Sequence, residues 1–175
     1  MLRTVTITAA TLFSLVWFGL LALSLSVPAG AQDGWGQYCN PRYQFCIDYP
    51  TGVFEDRIEA DNGDGITLVS TDDDAELRIY GVMNGDELSL EAVQEILAEE
   101  RDDREVTYKA AKENWVVLSG YQGKGEGRSI FYQRLETNDA GDRLSGMELV
   151  YPESARPTYD GLIKRMSLSL TPPAN

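Results

Sequence analysis

Between residues 45 and 83 apolar and polar positions alternate in short runs broken by Asp, Asn and Gly. "FCIDYP" (45–50) reads as a strand closed by Pro50, and "VFEDRIEADNGDG" (53–65) as a second extended piece leading into a turn. "ITLVSTDDDAELRIYGVM" (66–83) predicts two strands around an acidic turn: Ile66, Leu68 and Ser70 alternate with Thr67 and Val69, and Leu77, Ile79 and Gly81 with Arg78 and Tyr80. Period-two runs bounded by turn formers are hairpin signals. The period then changes. "SLEAVQEILAEERDD" (89–103) places Leu90, Val93, Ile96 and Leu97 on one helical face, behind Ser89 as N-cap and Glu91 in the first turn. The opposite face is nearly all carboxylate, which water solvates.

The second half returns to period two. "EVTYKAAKE" (105–113), "NWVVLSGYQ" (114–122), "RSIFYQRLE" (128–136) and "DRLSGMELVYP" (142–152) are rich in Val, Ile, Tyr, Phe and Trp, as half-buried strands require. "GKGEG" (123–127) and "TNDAGD" (137–142) supply turns. "ARPTYDGLIKRMSLSL" (155–170) closes the chain as a helix, with Pro157 in its first turn and Tyr159, Leu162, Ile163 and Met166 on one face. Short turns between consecutive strands imply antiparallel pairing. The fold class is therefore α+β, a mainly antiparallel β-sheet flanked by helices. We divide the chain into a signal peptide (1–31), an N-terminal segment with the first cysteine (32–42), one α+β domain (43–171) and a C-terminal tail (172–175).

The same stretches carry a family resemblance over residues 43–170. "YQFCIDYPTGVF", "NGDGITLVSTDDDAELRIYG", "LSLEAVQEIL", "WVVLSGYQGKGEGRSIFYQRL" and "YDGLIKRMSLSL" together resemble the PsbP/Mog1-like group, including secreted bacterial proteins of that fold. The resemblance implies an αβα layered sandwich and a role as an assembly factor, photosystem subunit or GTPase regulator. It rests on hydrophobic and turn patterns and carries over no catalytic residue. The local cysteine pair and the bacterial-type export signal depart from the photosystem members, so no photosynthetic role is implied.

The N-terminus changes the setting. Arg3, the apolar run "TLFSLVWFGLLALSLSV" (11–27) and the small residues Ala29 and Ala31 read as a secretory signal cleaved before Gln32. No cysteine follows that site for lipid attachment, so no stable membrane anchor remains after cleavage. The expected location is the periplasm or the cell exterior. The formal net charge is −13, and losing Arg3 takes it to −14. That balance argues against a duplex nucleic acid partner and against anionic membranes, and it steers towards a basic protein or envelope component.

The chain contains no histidine. The usual general base, imidazole metal ligation and His-activated nucleophiles are therefore missing. Cys39 and Cys46, with six residues between them, are not a C-x-x-C redox pair, and no further Cys or His could complete a zinc site. In an oxidising compartment they are expected to form a structural disulfide around a turn at Pro41. Asp61, Asp64, Asp72, Asp73 and Asp74 are oxygen donors, but the glycine and glutamate positions of an EF-hand loop fail to match, so the stretches read as turns. "GYQGKGEGRS" (120–129) lacks the P-loop Ser or Thr after Lys124. Trp115, Phe131 and Tyr151 fall in strand runs and are expected in the core or at its edge. Trp35 and Tyr38, ahead of the first predicted strand, are the better candidates for an exposed aromatic surface. The expected function is an exported, non-enzymatic accessory or binding domain without cofactor. The alternatives are a carboxylate-based hydrolase of envelope glycans and an inhibitor of a basic hydrolase such as lysozyme, the latter on "SGY" (119–121).

Overall fold

The computed structural model describes residues 34–72, 74–99 and 103–175, apart from the side chain of Glu126. The proposed signal segment lies outside them. In chain order the elements are β1 (Trp35–Asn40), β2 (Phe45–Pro50), β3 (Phe54–Glu59), β4 (Gly65–Ser70), β5 (Glu76–Met83), α1 (Leu90–Ala98), β6 (Arg104–Lys112), β7 (Trp115–Gln122), β8 (Ser129–Thr137), β9 (Arg143–Pro152) and α2 (Arg156–Ser169). β1 and β2 form a separate hairpin. The other strands make a seven-stranded sheet in the order β3-β4-β5-β9-β8-β7-β6, antiparallel throughout. Two meanders are thus joined at the centre, where β9 pairs with β5. α1 carries the chain from β5 to the far edge at β6, a connection that a tight turn could not span.

Each face has its own apolar cluster. On one face the hairpin and α2 pack over Ile66, Leu68, Leu77, Ile79, Met147, Leu149 and Tyr151. Ile66, Leu68, Leu77 and Ile79 are positions that the period-two runs set on one side of their strands, and Tyr151 is in the core as expected. On the other face Leu90, with the half-buried Val93 and Leu97 of α1, packs with Val116, Leu135 and Leu144. Ser89 caps α1 through its hydroxyl, which accepts the amide of Ala92 at 3.2 Å.

Two expectations about α1 change. The helix ends at Ala98, because Glu99 turns into extended backbone. Ile96 is 52% exposed, whereas Gln94 is buried. Gln94 Nε2 donates to the carbonyls of Ala110 (2.8 Å) and Val117 (3.2 Å) on β6 and β7. Buried carbonyls reward a donor, and that rotates the helix away from the purely apolar face.

The segment 35–40 had no predicted strand, yet it forms β1 and pairs in register with β2. The boundary drawn at residue 43 therefore falls in the turn of one hairpin. The last residues are also packed. Pro173 is buried, and the amide of Ala174 donates to the Tyr43 carbonyl at 3.1 Å.

Candidate functional site

Cys39 faces Cys46 across the hairpin, and the two form a disulfide. The turn between them is organised by Asn40, whose Oδ1 accepts the amides of Arg42 (2.9 Å) and Tyr43 (2.8 Å). Gln44 takes a positive φ of 55° to bring its amide to the Asn40 carbonyl at 2.9 Å. The turn delivers the Tyr43 ring onto Gly81 of β5, where a Cβ would stand 2.3 Å from the ring. Only a glycine leaves room for that approach. The disulfide thus braces the turn that docks the hairpin on the sheet.

Trp35 and Tyr38 do not form the expected exposed surface. Tyr38 is buried, with its ring edge-on to Phe45 and its hydroxyl accepting from Asn40 Nδ2 at 3.0 Å. Burial pushes its phenol pKa up. Trp35 is half-buried beneath the Arg165 guanidinium, 4.3 Å from its ring centroid. Strand pairing sends residues 38 and 40 inward and 37 and 39 outward, which the sequence could show only after β1 had been recognised.

The acidic turns sit at opposite ends of β4, about 20 Å apart for a six-residue strand. They cannot share one ion. Asp64 accepts from Arg42 Nη1 at 2.6 Å, and the same nitrogen donates to the Asn62 carbonyl at 2.8 Å. Asp72 accepts the Ser70 hydroxyl, and Asp73 lies outside the described residues. Among the described residues no group of three or more acidic or sulfur ligands converges.

Sequence reasoning missed the polar chain on the α1 face of the sheet. Arg104, at the start of the edge strand β6, lies over the Phe131 ring at 3.7 Å. It donates to Glu148 at 2.9 Å and to Gln133 at 3.2 Å. Glu148 also faces Arg78 at 3.6 Å. Gln133 Nε2 donates to the Tyr80 hydroxyl at 2.8 Å. The Tyr80 ring crosses Gly146, where a Cβ would stand 2.6 Å from it, and burial pushes its pKa up to about 12. The signal was a charged or amide residue at alternate positions of two central strands, Gln133 on β8 and Glu148 on β9.

Beyond these polar contacts the face is uncovered among the described residues over β3, β4 and β5. α1 packs on β7 and β6. Ile58, Thr67, Arg78 and Tyr80 line a shallow cleft of about 270 Å³ over β3, β4 and β5. Ile58 is 60% exposed and Val82 41%.

No protein-family model matches the sequence, and no curated protein matches it. Among solved structures 15 chains match. One is the solution structure of cyanobacterial PsbP (CyanoP) from Synechocystis, at TM-score 0.59 and 14% identity, covering 83% of this chain and 96% of that one. This chain has a PsbP-like fold. Another match is a crystal structure from Bacteroides thetaiotaomicron, at TM-score 0.49 and 14% identity, covering 78% of this chain and 47% of that one.

The PsbP-like sheet holds a second buried ion pair, Arg134–Glu136 at 2.6 Å, on the hairpin side. Burial raises the Glu136 pKa against the pull of Arg134. Arg134 also lies 4.5 Å from the Trp115 ring centroid. Glu136 is therefore held in a structural pair.

Proposed function

We propose that this chain is an exported, non-enzymatic accessory or binding domain that acts in the periplasm or cell envelope through a protein partner. A basic protein or an envelope component is the first candidate. The observation that carries this reading is the uncovered sheet face, with Val82 exposed on it and Ile58 exposed at a cleft of about 270 Å³. Small-molecule sites usually run from about 300 to 1,000 Å³ and are deeper. A shallow, partly apolar sheet face suits a protein surface better than a small substrate. The Cys39–Cys46 disulfide supports an oxidising compartment, and the signal-like residues 1–31 supply a route there. Among the described residues no helix is long and apolar enough to cross a membrane.

The alternatives draw less support. A glycan hydrolase needs two acids converging in a cleft, at least one with a raised pKa. Glu136 is instead held by buried Arg134. For a hydrolase inhibitor, "SGY" would have to stand in a loop. Residues 119–121 lie inside β7, and the Ser119 hydroxyl donates to the Phe131 carbonyl at 2.8 Å.

The test is a pull-down from envelope extract with the mature chain (32–175) at low and at high salt. An acidic domain steering a basic partner should recover it at low salt and lose it at high salt. Equal recovery at both would remove the electrostatic part of the proposal, and recovery of nothing would remove the partner.

A further inference from the structure

We infer that the uncovered sheet face is a seat for an amphipathic helix of a partner protein, with lysine or arginine along its polar flanks, lying beside α1. This rests on the accessory-domain reading and specifies the partner's chemistry.

The first argument is the apolar content of the face. Cross-strand partners share a side of the sheet. Ile58, Thr67, Arg78 and Glu148 therefore stand in one row, Val69, Glu76 and Val150 in the next, and Val82 beside Leu144 further along. A solvated face of an antiparallel sheet normally carries polar residues at these alternate positions. Here Ile58 and Val82 are exposed, and Val69 and Val150 are half-buried.

The second is shape. Leu144 and Glu148 of β9 are buried at the near side, so the open floor is β5, β4 and β3, two strand spacings or about 10 Å. A helix with its side chains is about 10–12 Å across. Strands of six to eight residues give a floor about 20–26 Å long, enough for a helix of roughly 14–17 residues. α1 provides the wall. Its Gln94 flank is turned to β6 and β7, Val93 packs down with Val116, Leu135 and Leu144, and Ile96, about 60° further round the helix from Val93, stands exposed above them, where a second helix beside α1 would meet it. That accounts for an isoleucine left 52% exposed on a nine-residue helix.

The third is charge. On the floor Arg78 is paired with Glu76 and faces Glu148, which Arg104 also holds. Asp56, exposed on the same side of edge strand β3 as Ile58, has no cation in contact among the described residues. With a net charge of −13 behind it, the floor selects a cationic flank over an anionic one.

The experiment uses the mature chain, 15N-labelled, and three synthetic 16-residue probes: a Leu/Lys amphipathic helix, a scrambled peptide of the same composition, and a Leu/Glu helix. The Leu/Lys helix should perturb amides of residues 56–58, 67–69 and 76–82 and gain helical circular dichroism on binding. Ile58→Ser with Val82→Ser should weaken it at least about tenfold, the usual cost of losing two apolar anchors. Both side chains are exposed, so the thermal midpoint should not move. Equal binding of the scrambled or Leu/Glu peptide, perturbations centred on Lys164 and Leu168 of α2, or self-association of the chain through this floor would each overturn the inference. If envelope extract yields a partner that the double variant still captures, the accessory reading stands and the seat falls. If extract yields none while the Leu/Lys helix docks as described, the seat stands and the accessory reading falls.

Discussion

Ser70 is buried, and its hydroxyl is used both ways: it accepts the Ala75 amide at 2.9 Å and donates to Asp72. Asp72 also accepts the Asp74 amide at 3.3 Å. The hydrogen bond from Ser70, and after it the one from Asp74, holds the Asp72 carboxyl below its ordinary value of 3.8. A carboxylate whose folded pKa is depressed stabilises the fold above its unfolded pKa, and that help is lost as pH falls through the folded value. Asp72→Ala should therefore lower the urea midpoint at neutral pH, and the gap to the parent should close below the carboxylate range. A gap that persists unchanged in acid would show that the carboxylate charge contributes nothing. The residue that looked like a calcium donor in the sequence is a turn lock. Its partner Ser70 was legible as an inward position, but its hydrogen bond to Asp72 was not.

The hairpin of β1 and β2 is braced internally by the disulfide, and its turn is docked on the sheet through Tyr43. Closing an eight-residue loop with a disulfide stabilises by about 2–2.5 kcal/mol in the chain-entropy treatment. Cys39→Ser with Cys46→Ser should cost that much in urea unfolding, and the parent should show no free thiol until reduced. Gly81→Ala should cost about 1–3 kcal/mol, as overpacking does, because its Cβ would meet the Tyr43 ring at 2.3 Å. An unchanged midpoint for Gly81→Ala would mean that the Tyr43 ring does not rest there. β4 and β5 were legible because their buried positions repeat at period two, and β7, β8 and β9, buried on both faces, because they are rich in Val, Ile, Leu, Tyr, Phe and Trp. β1 was not, because its inward positions are Tyr38 and Asn40. Asn40 looks like an outward residue until its bonds to the Tyr38 hydroxyl, the Gly63 carbonyl and the turn amides are seen. α1 misled for a similar reason. An amide, Gln94, occupies the buried stripe, and an apolar residue, Ile96, stands outside it. The uncovered floor could be reached only from the sheet order, which joins strands far apart in sequence.

Across the molecule each half of the sheet is covered on one side by helix. The hairpin and α2 pack on the β5–β9 half, and α1 packs on β6 and β7 from the opposite side. The C-terminal tail fastens the first of these layers. Thr171 exchanges bonds with Cys46: its amide donates to the Cys46 carbonyl at 3.0 Å, and its Oγ1 accepts the Cys46 amide at 2.8 Å. The Ser145 hydroxyl donates to the Thr171 carbonyl at 2.8 Å, and Arg143 to the Ala174 carbonyl at 3.0 Å. The tail therefore bridges the hairpin and the central strand β9. Each bond contributes about 1 kcal/mol net, and fixing the tail's backbone offsets part of the sum. Ending the chain at Leu170 should lower stability by about 2 kcal/mol while the disulfide stays closed. The tail acts on the α2 side of the sheet, so the shortened chain, once folded, should bind the Leu/Lys helix as tightly as the parent. A shortened chain of unchanged stability would show that the tail rests on the hairpin without holding it. A stable one that no longer binds the peptide would show that the two faces are coupled through β5 and β9.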